Sequence, residues 1–162
     1  MRRFLGFAVF ALSASAASAA PLPLGLDDLH WGMTREQAAA ASAFFGQAPP
    51  PPPGVGKSLR VRIPGYVWHD CKLVVTFDFG AAGLQALDLV QSASTQSCRD
   101  DVTAAMTAQY GTPATEDKMG FSFYTWPGDA DTIPKLGLVD KGLVSANGYG
   151  VHVELHRKPA AP

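Results

Sequence analysis

From Leu73 to Phe79 the chain alternates strictly. Leu73, Val75, Phe77 and Phe79 point one way, and Val74, Thr76 and Asp78 point the other. A period of two is the signature of a half-buried strand. Gly80 to Gly83 is a turn, and Leu84 to Val90 returns with Leu87 and Leu89 on one side and Asp88 on the other. The pair predicts a β-hairpin. Shorter strands are predicted at Leu59 to Ile63, ended by Pro64-Gly65, and at Tyr66 to Trp68. Others fall at Phe121 to Trp126 and near Ile133 to Val139. The last strand is Val151 to His156: Val151, Val153 and Leu155 face in, and His152, Glu154 and His156 face out.

Two segments carry helical spacing. After a short apolar lead-in from Leu26 to Trp31, Thr34 and Gln37 stand at capping-box distance, and Ala38, Ala41 and Phe45 share a stripe. This predicts a helix over Arg35 to Phe45, stopped at Gly46. In the second, Ser97 is a candidate cap, with Asp100 and Asp101 beside the positive helix start. Val102, Ala105, Met106 and Tyr110 form the stripe, and Gly111 with Pro113 ends it. Each predicted helix ends in aromatic-Gly followed by Pro, and strands bearing Trp68 or Trp126 come next. The expected fold is α+β, with two helices on one face of an antiparallel sheet and a possible tandem helix-plus-strands repeat.

The N-terminus has a different pattern. Arg2 and Arg3 precede an apolar run from Phe4 to Leu12, then small residues ending in Ala17-Ser18-Ala19. That is the layout of a cleaved signal peptide, residues 1–19. The run is far shorter than the roughly 20 residues a spanning helix needs. Residues 20–162 then form one periplasmic or secreted domain. Within it, 49–56 is a Pro/Gly-rich loop containing an unbroken proline run from Pro49 to Pro53. The run can be a partner ligand or a stiff solvated linker, and the absence of flanking Arg or Lys favours the linker.

Charge and cysteines narrow the function. Loss of Arg2 and Arg3 with the leader shifts the net charge from −1 to about −3. No basic stripe is available for phosphates, so nucleic acid is not an expected partner. No second long apolar stretch and no Cys near the cleavage site are present, so neither a membrane span nor a lipid anchor is expected. The chain has 2 Cys, Cys71 and Cys98. An even count in an exported chain predicts a disulfide rather than a metal or redox pair, since no C-x-x-C occurs.

Gly32-Met33-Thr34-Arg35-Glu36-Gln37 and Leu73-Val74-Val75-Thr76-Phe77-Asp78, with Gly83-Leu84 and Leu87-Asp88, resemble two parts of one pattern. The BamE/SmpA outer-membrane assembly proteins show a Gly-Met-Thr helix start and then such a strand. The beta-lactamase inhibitor proteins are similar in their duplicated helix-then-sheet unit. The resemblance spans roughly Gly32 to Val90. The anchoring Cys of the assembly lipoproteins is missing here, and the proline run is foreign to them. The resemblance implies a non-enzymatic protein that binds another protein through a sheet face or loops.

Candidate chemistry is sparse. His152-x-Glu154-x-His156 lies on one strand face and can hold Zn or Cu, or can be an ordinary polar outer face. His69 and Cys71 suggest a Cys-His pair only if Cys71 is a free thiol. Gly54 to Ser58 lacks the leading Gly of a phosphate loop, and no G-x-S-x-G, H-E-x-x-H or S-x-x-K occurs. Tyr66, Trp68, Tyr124 and Trp126 are either core or, on an open face, a partner-binding patch with Asp78. Lys57, Arg60 and Arg62 form a small basic cluster of the sort found on solvated faces. The expected function is non-catalytic binding of a protein partner in the cell envelope, of assembly or inhibitor type, with no cofactor. The alternative is a small metal- or ligand-binding periplasmic protein using the outer face of the last strand.

Overall fold

The structure is a computed structural model that describes residues 21–50, 59–91, 95–118, 121–139 and 150–159, at 136–139 in backbone alone. The predicted signal peptide, most of the Pro/Gly-rich loop and the end of the C-terminal tail lie outside the described residues.

The elements run α1 (Arg35–Ala41), β1 (Leu59–Trp68), β2 (Cys71–Gly80), β3 (Gly83–Gln91), α2 (Gln96–Tyr110), β4 (Ala114–Lys118), β5 (Phe121–Thr125), β6 (Thr132–Val139) and β7 (Val151–Arg157). The strands form one antiparallel sheet in the order β1-β2-β3-β7-β6-β5-β4. Two meanders meet at β3 and β7. After β3, in the middle of the sheet, α2 carries the chain to the far edge. From there β4 to β7 return strand by strand.

Register puts the apolar alternation into continuous rows. Ile63, Val75, Leu89 and Val153 are neighbours across four strands, as are Val61, Phe77, Leu87 and Leu155. All eight are buried. They share one core with Cys98, Val102, Met106 and Tyr110 of α2 and with Ala38 of α1. Phe45 packs edge-on against Phe77 at 4.9 Å and against Phe79 at 5.5 Å. Such tilted aromatic contacts add to the burial of the rings themselves.

The segment before α1 is part of this core. Leu22, Leu24, Leu26, Leu29 and Trp31 are buried, and the Trp31 indole N–H donates to Thr132 Oγ1 at 2.9 Å. Gly32 has a φ of 83°. Its N–H donates to the Leu84 carbonyl at 2.9 Å, and the Leu84 N–H returns a bond to Met33 O at 2.8 Å. Gly32-Met33 and Gly83-Leu84, far apart in sequence, therefore meet backbone to backbone.

Several boundaries differ from the sequence expectation. The capping box at Thr34 and Gln37 is present, but α1 stops at Ala41 rather than Phe45. Ser42 is extended, its hydroxyl accepts from the Phe45 N–H, and a single 3-10 turn follows at Phe45–Gln47. Leaving the helix early lets Phe44 and Phe45 reach Tyr66 and Phe77. The cap of α2 is Thr95, whose hydroxyl accepts from the Cys98 N–H, and not Ser97. Asp100 and Asp101 accordingly fall past the first turn, and Asp101 pairs with His69 at 3.4 Å. The two short strands around Pro64-Gly65 are one strand with a register shift between Ile63 and Tyr66. β4 has no counterpart in the sequence reading, because every one of its residues is exposed and there is no alternation to see.

Candidate functional site

Cys71 and Cys98 form a disulfide. It joins the first residue of β2 to the first turn of α2, and both residues are buried. The His69-Asp70 turn is docked beside it: Ser97 Oγ donates to Asp70 at 3.1 Å, and the His69 ring stacks on Trp68 at 4.3 Å. With Cys71 oxidised there is no thiolate for a Cys-His pair, so this corner is a structural staple.

The four aromatics singled out in the sequence fall on the core side. Tyr66 and Trp68 are register partners of Leu73 and Cys71, both buried. The Tyr66 hydroxyl donates to Leu24 O at 2.6 Å, and burial pushes its pKa up to about 12. Tyr124 lies in the row of Val153 and stacks on Trp126 at 5.9 Å. Trp126 is only 2% exposed, and its N–H donates to Thr107 of α2. Of the two readings open for these rings, packing is the one realised. Asp78, grouped with them from sequence, sits on the opposite face and takes a two-pronged hydrogen bond from Arg60 at 2.8 and 2.7 Å.

That opposite face is partly exposed across the sheet. One row reads Arg62, Thr76, Asp88, Glu154, Lys135 and Thr125 from β1 to β5. The next reads Val74, Val90, His152, Gly137 and Phe123. Two aromatics stand out on it. Phe121 and Phe123, on β5, are 38% and 40% exposed, with ring centroids 6.1 Å apart. Strand parity could have placed them opposite Tyr124, but only the register shows which parity is buried.

The face carries one compact group of ionisable side chains. His152 Nε2 lies 3.5 Å from Glu154 Oε1 and 3.9 Å from Asp88 Oδ1. His156 Nε2 lies 3.8 Å from the other Glu154 oxygen, Oε2. Asp88 and Glu154 are direct register partners on β3 and β7, neighbouring interior strands. The Asp88 carboxylate beside it is the main cause that raises the His152 pKa, ahead of the opposing effect of burial. The same contact lowers the Asp88 pKa. The sequence grouped His152, Glu154 and His156 by spacing. The structure brings Asp88 in beside His152 and leaves His156 on the outer side of Glu154.

Among the described residues no helix is long and apolar enough to cross a membrane. The paired cysteines and the partly exposed sheet face are the firm features of the surface and its scaffold. Comparison of the chain with protein-family models, with curated proteins and with solved structures returned no match.

Proposed function

We propose that this chain is an exported, non-catalytic binding protein of the cell envelope. In this reading the two helices cover one face of the sheet, and the other face receives a protein partner, as in assembly or inhibitor proteins. The observation that carries it is the adjacent pair Phe121 and Phe123, both well exposed on a strand next to the sheet edge. Aromatic side chains are enriched in protein interfaces, where they bury large areas at low conformational cost. A polar row runs beside them from Arg62 to Thr125, which supplies the kind of rim that surrounds such anchors. The disulfide supports the exported setting, since such bonds persist in oxidising compartments. The meeting of Gly32-Met33 with Gly83-Leu84 fixes the start of the first helix against the β2–β3 hairpin and so holds the scaffold behind the open face.

The test is capture from envelope extract with the exported chain, its Phe123→Ser variant, and Ala108→Ser on the exposed side of α2 as control. The expected result is one protein retained by parent and control and lost with Phe123→Ser, at unchanged Tm. Capture indifferent to Phe123, or retention of nothing above background by the parent, overturns the proposal.

A further inference from the structure

We propose that Asp88, His152 and Glu154 form a binding site for a divalent late transition-metal ion, Zn2+ or Cu2+, at the centre of the open sheet face. This is a separate property from partner binding by Phe121 and Phe123. One ligand atom from each of the three residues lies within 4.8 Å of the others. A tetrahedral Zn2+ with bonds near 2.0–2.1 Å needs donor atoms about 3.3 Å apart. The His152–Glu154 separation of 3.5 Å is already close to that, and the His152–Asp88 separation of 3.9 Å needs only a small side-chain rotation.

A second observation points to a cation independently of the spacing. Asp88 and Glu154 are carboxylates at directly opposed positions of neighbouring strands. Like charges so placed repel. Among the described residues their ion pairs are with histidines alone, His152 for Asp88 and both His152 and His156 for Glu154. Arg60 is hydrogen-bonded to Asp78 and acts on Asp88 only through space, without an ion pair to it. Lys135, across from Glu154 on β6, is exposed and makes no ion pair with it in the structure. A metal ion between the two carboxylates would add positive charge at a fixed point and offset their mutual repulsion.

The donor types choose the metal. An imidazole with carboxylates suits Zn and Cu, whereas Mg and Ca prefer oxygen alone. The side chains stand on two interior strands, so their backbone is held from both sides, and they remain accessible at 28% for Asp88 and 39% each for His152 and Glu154. Three protein donors leave one position of a tetrahedral ion for water or an outside ligand. His156 Nε2 lies 3.8 Å from the outer oxygen of Glu154, placed to orient the carboxylate without joining the ion.

The experiment uses the exported chain without a histidine tag, stripped with chelator and titrated with ZnCl2 or CuCl2, with MgCl2 as control. Calorimetry gives stoichiometry, and thermal unfolding gives the shift. The expected result is one equivalent of Zn2+ or Cu2+ and a Tm rise of about 5–10 °C at a hundredfold excess over Kd. MgCl2 gives no shift. Asp88→Asn and His152→Gln abolish the site while the metal-free Tm stays within about 2 °C of the parent, as expected for surface changes. His156→Gln keeps one equivalent and weakens it about tenfold. The proposal is overturned by the absence of a saturable site, or by one that survives His152→Gln. It is equally overturned by a site that is lost with His156→Gln and kept with Asp88→Asn.

Discussion

Gly83 and Gly65 have nearly the same φ, +84° and +82°, but opposite surroundings. A methyl group added at Gly65 meets nothing within 4 Å. One added at Gly83 would stand 2.6 Å from Met33 O and closer still to Gly32 O. Those are backbone atoms, so no side-chain rotation relieves the clash. Both Ala variants carry the left-handed penalty of about 1–2 kcal/mol. Gly83→Ala must in addition push Gly32-Met33 away from β3, losing the two hydrogen bonds with Leu84. Each contributes about 1 kcal/mol net. Gly83→Ala should therefore cost about 3–4 kcal/mol in total and Gly65→Ala about 1–2 kcal/mol. Urea unfolding with linear extrapolation reads both. Amide exchange at Leu84 should accelerate in Gly83→Ala alone, because its acceptor is Met33 O. Equal costs for the two variants, with Leu84 still protected, would refute the claim that the N-terminal segment is clamped to β3.

Phe77 is fully buried beneath Phe45, so Phe77→Ala should lose about 3–5 kcal/mol by denaturant titration, whereas exposed-face His152→Ala should lose under about 1 kcal/mol. Removing the disulfide with Cys71→Ala and Cys98→Ala frees a loop with a sequence separation of 27; the chain-entropy model then puts the loss at about 3.5 kcal/mol, read as a fall in the urea midpoint. The Asp88–His152 contact should shape the pH profile. His152 is raised above 6.5, so its contribution is complete below that value and lost as pH rises through its folded pKa. Asp88 is lowered below 3.8, so its contribution is present above that value and lost as pH falls through its folded pKa. With chelator present, the parent should lose up to about 1 kcal/mol on going from pH 6 to pH 8.5, the two groups being partly solvated. His152→Gln should lack that slope, and superimposable profiles would show that the contact is without energetic effect.

Local chemistry was enough to read much of this molecule. The alternation from Leu73 to Phe79 named the buried face of β2, because burial of one face selects apolar residues at every second position. Val151, Val153 and Leu155 did the same for β7, Thr34 with Gln37 marked the start of α1, and Gly111 marked the end of α2. With only two cysteines in the chain, the even count was enough to pair Cys71 with Cys98. Tertiary structure decided what depends on which strand lies beside which. The meeting of β3 with β7 puts Asp88 next to Glu154 and His152, although more than sixty residues separate them in sequence. The pairing of β5 with β6 turns Tyr124 inward and leaves Phe121 and Phe123 outside. Spacing along a strand tells which side chains share a face. Only long-range register, set by the packing of the whole core, tells what stands across from them, and which face is buried on a strand such as β5 that carries aromatics on both.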